Sequence, residues 1–344
     1  MFGKLDWQSL RFNGTSNLFT NNFCFSSPCQ NGGFCMSDRN GFKCDCTPFF
    51  IGPTCTQELD KISFKNHPSN VIQLITISNR YLISASSDRQ ISIWNLTNFK
   101  LVRNITNRCS ISCIIQLSNE IIATGCQDGK ITIINLNDFE VENVINAHNL
   151  SIGRMIYLKN GYLASGSLDM SIKIWNSSNW RVISTMNGHT DEIRDLENVS
   201  NGDLASCSCD LSIIIWNPTT FSIKNKLNGH QGCVTRLNTL NNGNLISASN
   251  DGTIRLWNTK TYTFINSFTT DGSTISLNNL ADGNFISGQP SGVIQFWEIN
   301  NAALIKNKNT NTKSRILFIL TLPQGDIACG DSAGIITIWN KNYI

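Results

Sequence analysis

Histidine is the side chain first suspected of chemistry near neutral pH, and this 344-residue chain carries four: His67, His148, His189 and His230. Each is followed at the same distances by three other residues. A serine lies 17 residues on (Ser84, Ser165, Ser206, Ser247), an aspartate 21 on (Asp88, Asp169, Asp210, Asp251) and a tryptophan 27 on (Trp94, Trp175, Trp216, Trp257). Serine, histidine and aspartate are the members of a hydrolytic triad. Repetition argues against that use, because an enzyme needs one such site and this set occurs four times. A buried indole N–H and a buried imidazole each need a hydrogen-bond partner, and a closed chain of such partners stiffens whatever holds it. The four sets are therefore expected to be structural, with no catalytic residue among them.

The elements that position these residues are strands. LISASNDGTIRLWN (245–258) alternates its side chains, turns at Asn250-Asp251-Gly252, and alternates again, as two short strands joined by a tight turn do. The pattern returns at 82–95, 122–135, 163–176 and 204–217, and in worn form at 285–298 and 327–340. Its anchors, Trp94, Ile134, Trp175, Trp216, Trp257, Trp297 and Trp339, are spaced 40 to 42 residues apart. Seven copies at that period resemble the WD40 repeat, which implies an all-β, seven-bladed propeller over residues 60–344 with four strands per blade. In that family the Ser, His, Asp and Trp of a blade are linked by hydrogen bonds. Three blades depart, with Asn107, Thr270 and Thr312 in place of His and with Ser291 and Ala333 in place of Asp. The sixth and seventh blades are expected to be the least rigid.

Two details complete the repeat. Asn160-Gly161, Asn201-Gly202, Asn242-Gly243 and Asp282-Gly283 separate apolar strands and suit two-residue hairpins, which need positive φ. After Trp339 too few residues remain for an outer strand, whereas KISF (61–64) ends three residues before His67, as the outer strands of other copies do. Residues 60–64 are therefore expected to complete the last blade. That would put the segment before them at the outer rim of that blade, by its wider bottom face.

That segment is of another kind. Residues 24–55 hold Cys24, Cys29, Cys35, Cys44, Cys46 and Cys55 in the order C-x4-C-x5-C-x8-C-x-C-x8-C. So short a stretch buries little apolar surface and leans on disulfides; spacing alone leaves fifteen pairings open. With SPCQNGGFC and CDCTPFFIGPTC, the stretch resembles an EGF-like module. The resemblance implies the pairs Cys24–Cys35, Cys29–Cys44 and Cys46–Cys55. Asn21-Asn22-Phe23 lacks the acidic residues of calcium-binding members, and Phe34 lacks the hydroxyl of the O-fucose position. Cys24-Phe-Ser26-Ser-Pro28-Cys29 fits the family's O-glucose pattern and makes Ser26 a candidate acceptor. Residues 1–23 are polar and without periodicity, and read as a disordered lead-in.

The other seven cysteines, Cys109, Cys113, Cys126, Cys207, Cys209, Cys233 and Cys329, are scattered over the repeats and read as free thiols packed as small hydrophobes. They conflict with the first six, since a disulfide module requires an oxidising compartment and loose thiols a reducing one. The module favours the cell surface or the exterior; the thiols, and a start without a signal-peptide pattern, favour the cytoplasm.

Composition bounds the partners. A net charge of +3 with scattered Lys and Arg argues against a nucleic-acid surface, and no apolar run approaches the roughly 18 residues of a spanning helix. Six residues after each His-type position come Gln73, Cys113, Arg154, Asp195, Arg236, Ser276 and Phe318, expected to face the propeller channel. Arg154, Asp195 and Arg236 fall in consecutive copies, with Asp191 and Glu192 in the loop nearby, either as a self-satisfied ion network or as a site for an acidic partner. The reading is a non-enzymatic interaction scaffold without cofactor or metal. Its propeller, a monomer, binds proteins or peptides on its top face, and the module adds a second contact. The alternative is an intracellular WD40 adaptor whose fused module has no independent role.

Overall fold

The structure, a computed structural model, describes residues 24–37 and 41–343; the lead-in expected over residues 1–23 lies outside them. The chain divides into two units, Met1–Leu59 and Asp60–Ile344. In the first, two small antiparallel hairpins (Phe34–Ser37 with Phe42–Asp45, Phe50–Ile51 with Gln57–Glu58) are tied by the disulfides Cys24–Cys35, Cys29–Cys44 and Cys46–Cys55.

The second unit is seven four-stranded antiparallel sheets, a seven-bladed propeller. Blade one runs from Val71 to Thr106; the sixth ends at Asn309. Blade seven takes Ile316–Thr321, Ile327–Asp331 and Ile335–Trp339, and its fourth strand is Lys61–Lys65, paired from Ile335↔Lys65 to Trp339↔Lys61. One sheet thus joins the two ends of this unit and leaves its ring without an unpaired strand at the seam.

Position in the blade explains composition. Second strands such as Leu163–Ser167 are buried at every residue, so they read as small and apolar without alternation. Outer strands such as Val182–Asn187 are covered on one face and alternate. The cores lie between blades: Ile172 and Ile174 of blade three pack with Leu196, Leu204, Ile214 and Trp216 of blade four.

The hairpins between first and second strands differ from the two-residue turns expected. Leu158 N–H bonds the Tyr162 carbonyl, and Gly161 N–H the Leu158 carbonyl, leaving a loop of Lys159, Asn160 and Gly161. Only the glycine has positive φ, +86°. This is a three-residue loop in which the last residue alone must be left-handed. Loops ending at Gly202, Gly243 and Gly283 repeat it.

A second feature positions the channel residues. The innermost strands of six blades break register at the same place, between Val71/Gln73, Ile111/Cys113, Ile152/Arg154, Ile193/Asp195, Val234/Arg236 and Ile316/Phe318. A bulge at that point bends the strand and re-aims the residue after it.

Candidate functional site

The four histidine sets come first. Trp94, Trp175, Trp216 and Trp257 donate their indole N–H to Ser84, Ser165, Ser206 and Ser247 at 3.0, 2.8, 2.7 and 2.8 Å. The same serine oxygens lie 2.7–2.8 Å from Nε2 of His67, His148, His189 and His230. Nδ1 of those histidines lies 2.8–3.1 Å from Asp88, Asp169, Asp210 and Asp251. With a neutral ring beside an ionised carboxylate, the imidazole proton sits on Nδ1 and goes to the aspartate, Nε2 takes the serine proton, and the serine oxygen accepts the indole N–H. Each ring is neutral. Burial lowers all four histidine pKa values, against the opposing pull of the aspartates. For Asp210 and Asp251 burial works upward. It is outweighed by hydrogen bonds from Ser212 and His189, and from Thr253, Gln231 N–H and His230, which bring both to about 2. Serine, histidine and aspartate stand in the order of a hydrolytic triad, but Ser84, Ser165, Ser206 and Ser247 are wholly buried and their oxygens accept the indole N–H.

Two of the departing blades replace the network, and the third does not. In blade two Asn107 Nδ2 bonds Thr124 Oγ1 at 2.9 Å. In blade six Trp297 still bonds Ser287, and Gln289 joins Ser287 to Gln295, which reaches Asp271. Blade seven has Cys329 at the serine position, and the buried Trp339 Nε1 has no hydrogen-bond partner.

The reading of seven free propeller thiols is corrected. Cys109 is bonded to Cys126, and Cys209 to Cys233; Cys113, Cys207 and Cys329 remain free and buried. Cys109 and Cys126 lie 17 residues apart at one end of blade two, and Cys209 and Cys233, 24 apart, join the end of a strand in blade four to the start of one in blade five. The serines equivalent to Cys126, such as Ser208 and Ser249, donate hydrogen bonds to the loop opposite, at the Asp191 and Gly232 carbonyls; the Cys109–Cys126 bond ties that same junction covalently. Asp128 approaches Cys109 and Cys126 within metal-ligand range, but sulfurs spent in a disulfide are not thiolate ligands.

Two cavities lie along the channel. The inner one, about 200 Å³, is lined by Arg154, Asp195, Glu197, Arg236, Ser276 and Phe318, among others. The outer one, about 560 Å³, lies toward the starts of the innermost strands and is lined by Arg194, Arg236, Arg315, Thr235 and Ser273. Arg236 belongs to both. Asp195 is held by backbone: Leu196 N–H reaches Oδ1 at 3.0 Å and Leu237 N–H reaches Oδ2 at 2.9 Å. Arg154 Nε is 3.4 Å from Asp195 Oδ1, without hydrogen-bond geometry, and its guanidinium stands over the Phe318 ring. Arg236 donates to the Thr235 carbonyl and makes no ion pair among the described residues. Asp191 and Glu192 line neither cavity: Glu192 pairs with Arg194 at 2.6 Å, and Asp191 Oδ1 accepts Glu192 N–H. Ser26 of the first unit is exposed.

Sequence reasoning passed over Glu197, Arg194 and Arg315. A signal existed for Glu197, two residues after Asp195 and so on the same strand face. Burial and the Asp195 charge push its carboxyl up to about 7, against Arg154 and Thr239.

The family model described as WD domain, G-beta repeat, matches residues 59–95, 140–176, 180–217 and 221–258, and the EGF-like domain matches 24–54.

The chain carries WD40 repeats and an EGF-like domain.

The repeats outside the matched four are those without a histidine. The WD40 β-propeller domain of Doa1 superposes with a TM-score of 0.72 at 20% identity, covering 81% of this chain and 95% of that one; it shares the fold. Short segments are similar to human Protein crumbs homolog 2 (47% identical over 57 residues, 17% of this chain) and mouse Multimerin-1 (53% over 36 residues, 10%). The chain spans 4% and 3% of those proteins' own lengths. Among the described residues no helix is long and apolar enough to cross a membrane.

Proposed function

We propose that this WD40 protein is a non-catalytic interaction scaffold, whose propeller docks a protein partner at the channel mouth through an acidic group. Its EGF-like module, with exposed Ser26 as a glycosylation acceptor, adds a second contact. The supporting observation is Arg236, common to both cavities. Asp195, the carboxylate beside it, already has both oxygens on backbone N–H groups. The guanidiniums left over are Arg236 inside and Arg315 outside, neither of which makes an ion pair among the described residues, and Arg154 inside gives Asp195 only its Nε, at 3.4 Å. A surplus of guanidinium N–H in a concave site suits a carboxylate, which takes two parallel N–H bonds from one arginine. Five disulfides, two of them in the propeller, favour an oxidising compartment for this scaffold over the adaptor reading.

The test is selection of a random peptide library on the immobilised full chain. Binders should be enriched in Asp and Glu and should lose at least about tenfold in affinity on the Arg154→Ala, Arg236→Ala double variant, about the cost of one charged hydrogen bond. Binders that hold the double variant as tightly would place docking elsewhere.

A further inference from the structure

We propose that docking of an acidic group in the channel is coupled to proton uptake by Glu197. This rests on the docking reading above and adds a regulator to the same site. Asp195 and Glu197 stand two apart on the innermost strand of blade four (Ile193–Asn198), opposite Cys207 and Ala205, and both line the inner cavity with Arg154 and Arg236. An anion drawn to Arg236 therefore enters a space of about 200 Å³ that already holds two carboxyl groups. Three negative charges there exceed the two guanidiniums, which favours proton uptake by one carboxyl.

The surroundings decide which. Asp195 has both oxygens taken by backbone N–H groups, and Arg154 lies beside it. Glu197 receives Thr239 N–H on Oε1 at 3.2 Å. Its carboxyl already sits near neutrality, at about 7, so a neighbouring anion carries it above physiological pH.

The other elements packed on this strand bring nothing that competes. The innermost strand of blade three gives Arg154 and Tyr157, whose phenol burial raises further. The second strand of blade four gives Cys207, raised well above the ordinary thiol value by burial and Asp195. Blade five gives Arg236, and Leu163–Ser167 of blade three carries no titratable side chain. Two further observations mark the cavity as built for a polar guest: the buried Ser276 Oγ and Arg154 Nε, both on its wall, have no hydrogen-bond partner.

Linkage fixes the sign. A group that is more protonated when the ligand is bound makes affinity fall as pH rises between its free and bound pKa values. With the free value about 7, affinity should fall about tenfold from pH 6 to pH 8. The experiment titrates a fluorescein-labelled hexa-aspartate peptide into the full chain at fixed salt at both pH values. Calorimetry at pH 7.4 in phosphate and in Tris then counts the protons taken up. Wild type should show the fall and a fractional proton gained; Glu197→Gln, neutral throughout and of the same shape, should bind at both pH values with little slope and no proton. An equal slope and equal uptake in Glu197→Gln would overturn the coupling and leave docking intact. No binding at either pH, by wild type and by Glu197→Gln alike, would overturn the docking reading and this one with it.

Discussion

Trp339 shows what one atom is worth in this fold. Six blades give the buried residue at the anchor position what it needs: five tryptophans have a serine oxygen, and Ile134 needs none. Blade seven puts Cys329 there, and the indole N–H is left without a partner. Cys329→Ser should supply the acceptor, with Thr337 on the neighbouring strand to take the new hydroxyl's proton. A gain of about 1 kcal/mol in urea unfolding is expected, the usual net value of a hydrogen bond. Ser165→Ala should do the reverse and cost about 2–3 kcal/mol, because it strips a partner from both Trp175 and His148. Acid should act through the same sets. An unfolded histidine titrates near 6.5 and the native four titrate lower. In between, the unfolded chain holds more protons, so stability is full above about 6.5 and falls as pH drops below it, until the native rings also protonate. Asp210 and Asp251 add a later loss, between the ordinary 3.8 and about 2. The urea midpoint should be lower at pH 5.5 than at 7.5, and an unchanged midpoint would contradict neutral rings. These sets could be read from spacing because every partner lies within one repeat, at 10, 17 or 21 residues. The unpaired indole is written at the same spacing, for Cys329 stands ten residues before Trp339 where the other five tryptophans have serine.

At the scale of the strand and turn, one backbone position recurs in all seven blades. Five residues before each anchor stand Arg89, Gly129, Met170, Leu211, Gly252, Gly292 and Gly334, with φ between +69° and +80°. That region is open to glycine and costs other residues roughly 1–2 kcal/mol. Leu211 is 40% exposed and gives up little burial, so Leu211→Gly should raise stability by about 1 kcal/mol. Gly129→Ala should destabilise, because an added Cβ would fall 2.1 Å from the His148 carbonyl oxygen. Chemical denaturation of both variants would show it, and equal effects of one sign would refute the account. What the chain could reveal of its elements followed the same logic of distance. Alternation of side chains and a fixed period expose strands, and with them the propeller. The bulges that turn Arg154 and Arg236 inward have no residue signature, and the Cys209–Cys233 bond crosses from one blade to the next. That bond depends on packing between copies, whereas Cys109–Cys126 lies within blade two at a separation of 17. Alkylation under denaturing conditions without reductant should therefore label three cysteines, Cys113, Cys207 and Cys329. Seven labels would restore the propeller to free thiols.

For the propeller as a whole, the question is what keeps seven weakly self-sufficient sheets in one ring. Each blade's core is shared with its neighbour, so any opening exposes two faces at once, and stability becomes a sum of blade and interface terms. Six seams are continuous in sequence. At the seventh, Val71–Ile77 packs on Ile316–Thr321 and Ile327–Asp331, and Lys61–Lys65 adds the closing strand: Ile62 and Phe64 pair with Ile338 and Ile336, and Phe64 also packs on Trp94 of blade one, ring centroids 4.5 Å apart. Lys61 stands over Trp339, the indole with no hydrogen-bond partner, at 4.5 Å. One five-residue strand thus completes blade seven and covers the anchor of blade one. Replacing residues 61–65 in the full chain by Gly-Ser-Gly-Ser-Gly removes both contacts and the strand propensity without touching a blade proper. Loss of two half-buried apolar side chains and of the strand that carries them should cost about 2 kcal/mol, or about 5 °C in melting temperature. Hydrogen exchange should then quicken first in blades one and seven, where the seam lies, and the freed edge of Ile335–Trp339 should promote association with rising concentration. Faster exchange spread evenly over all blades would mean that the ring is held by its interfaces together and that the strand is only one contact among many.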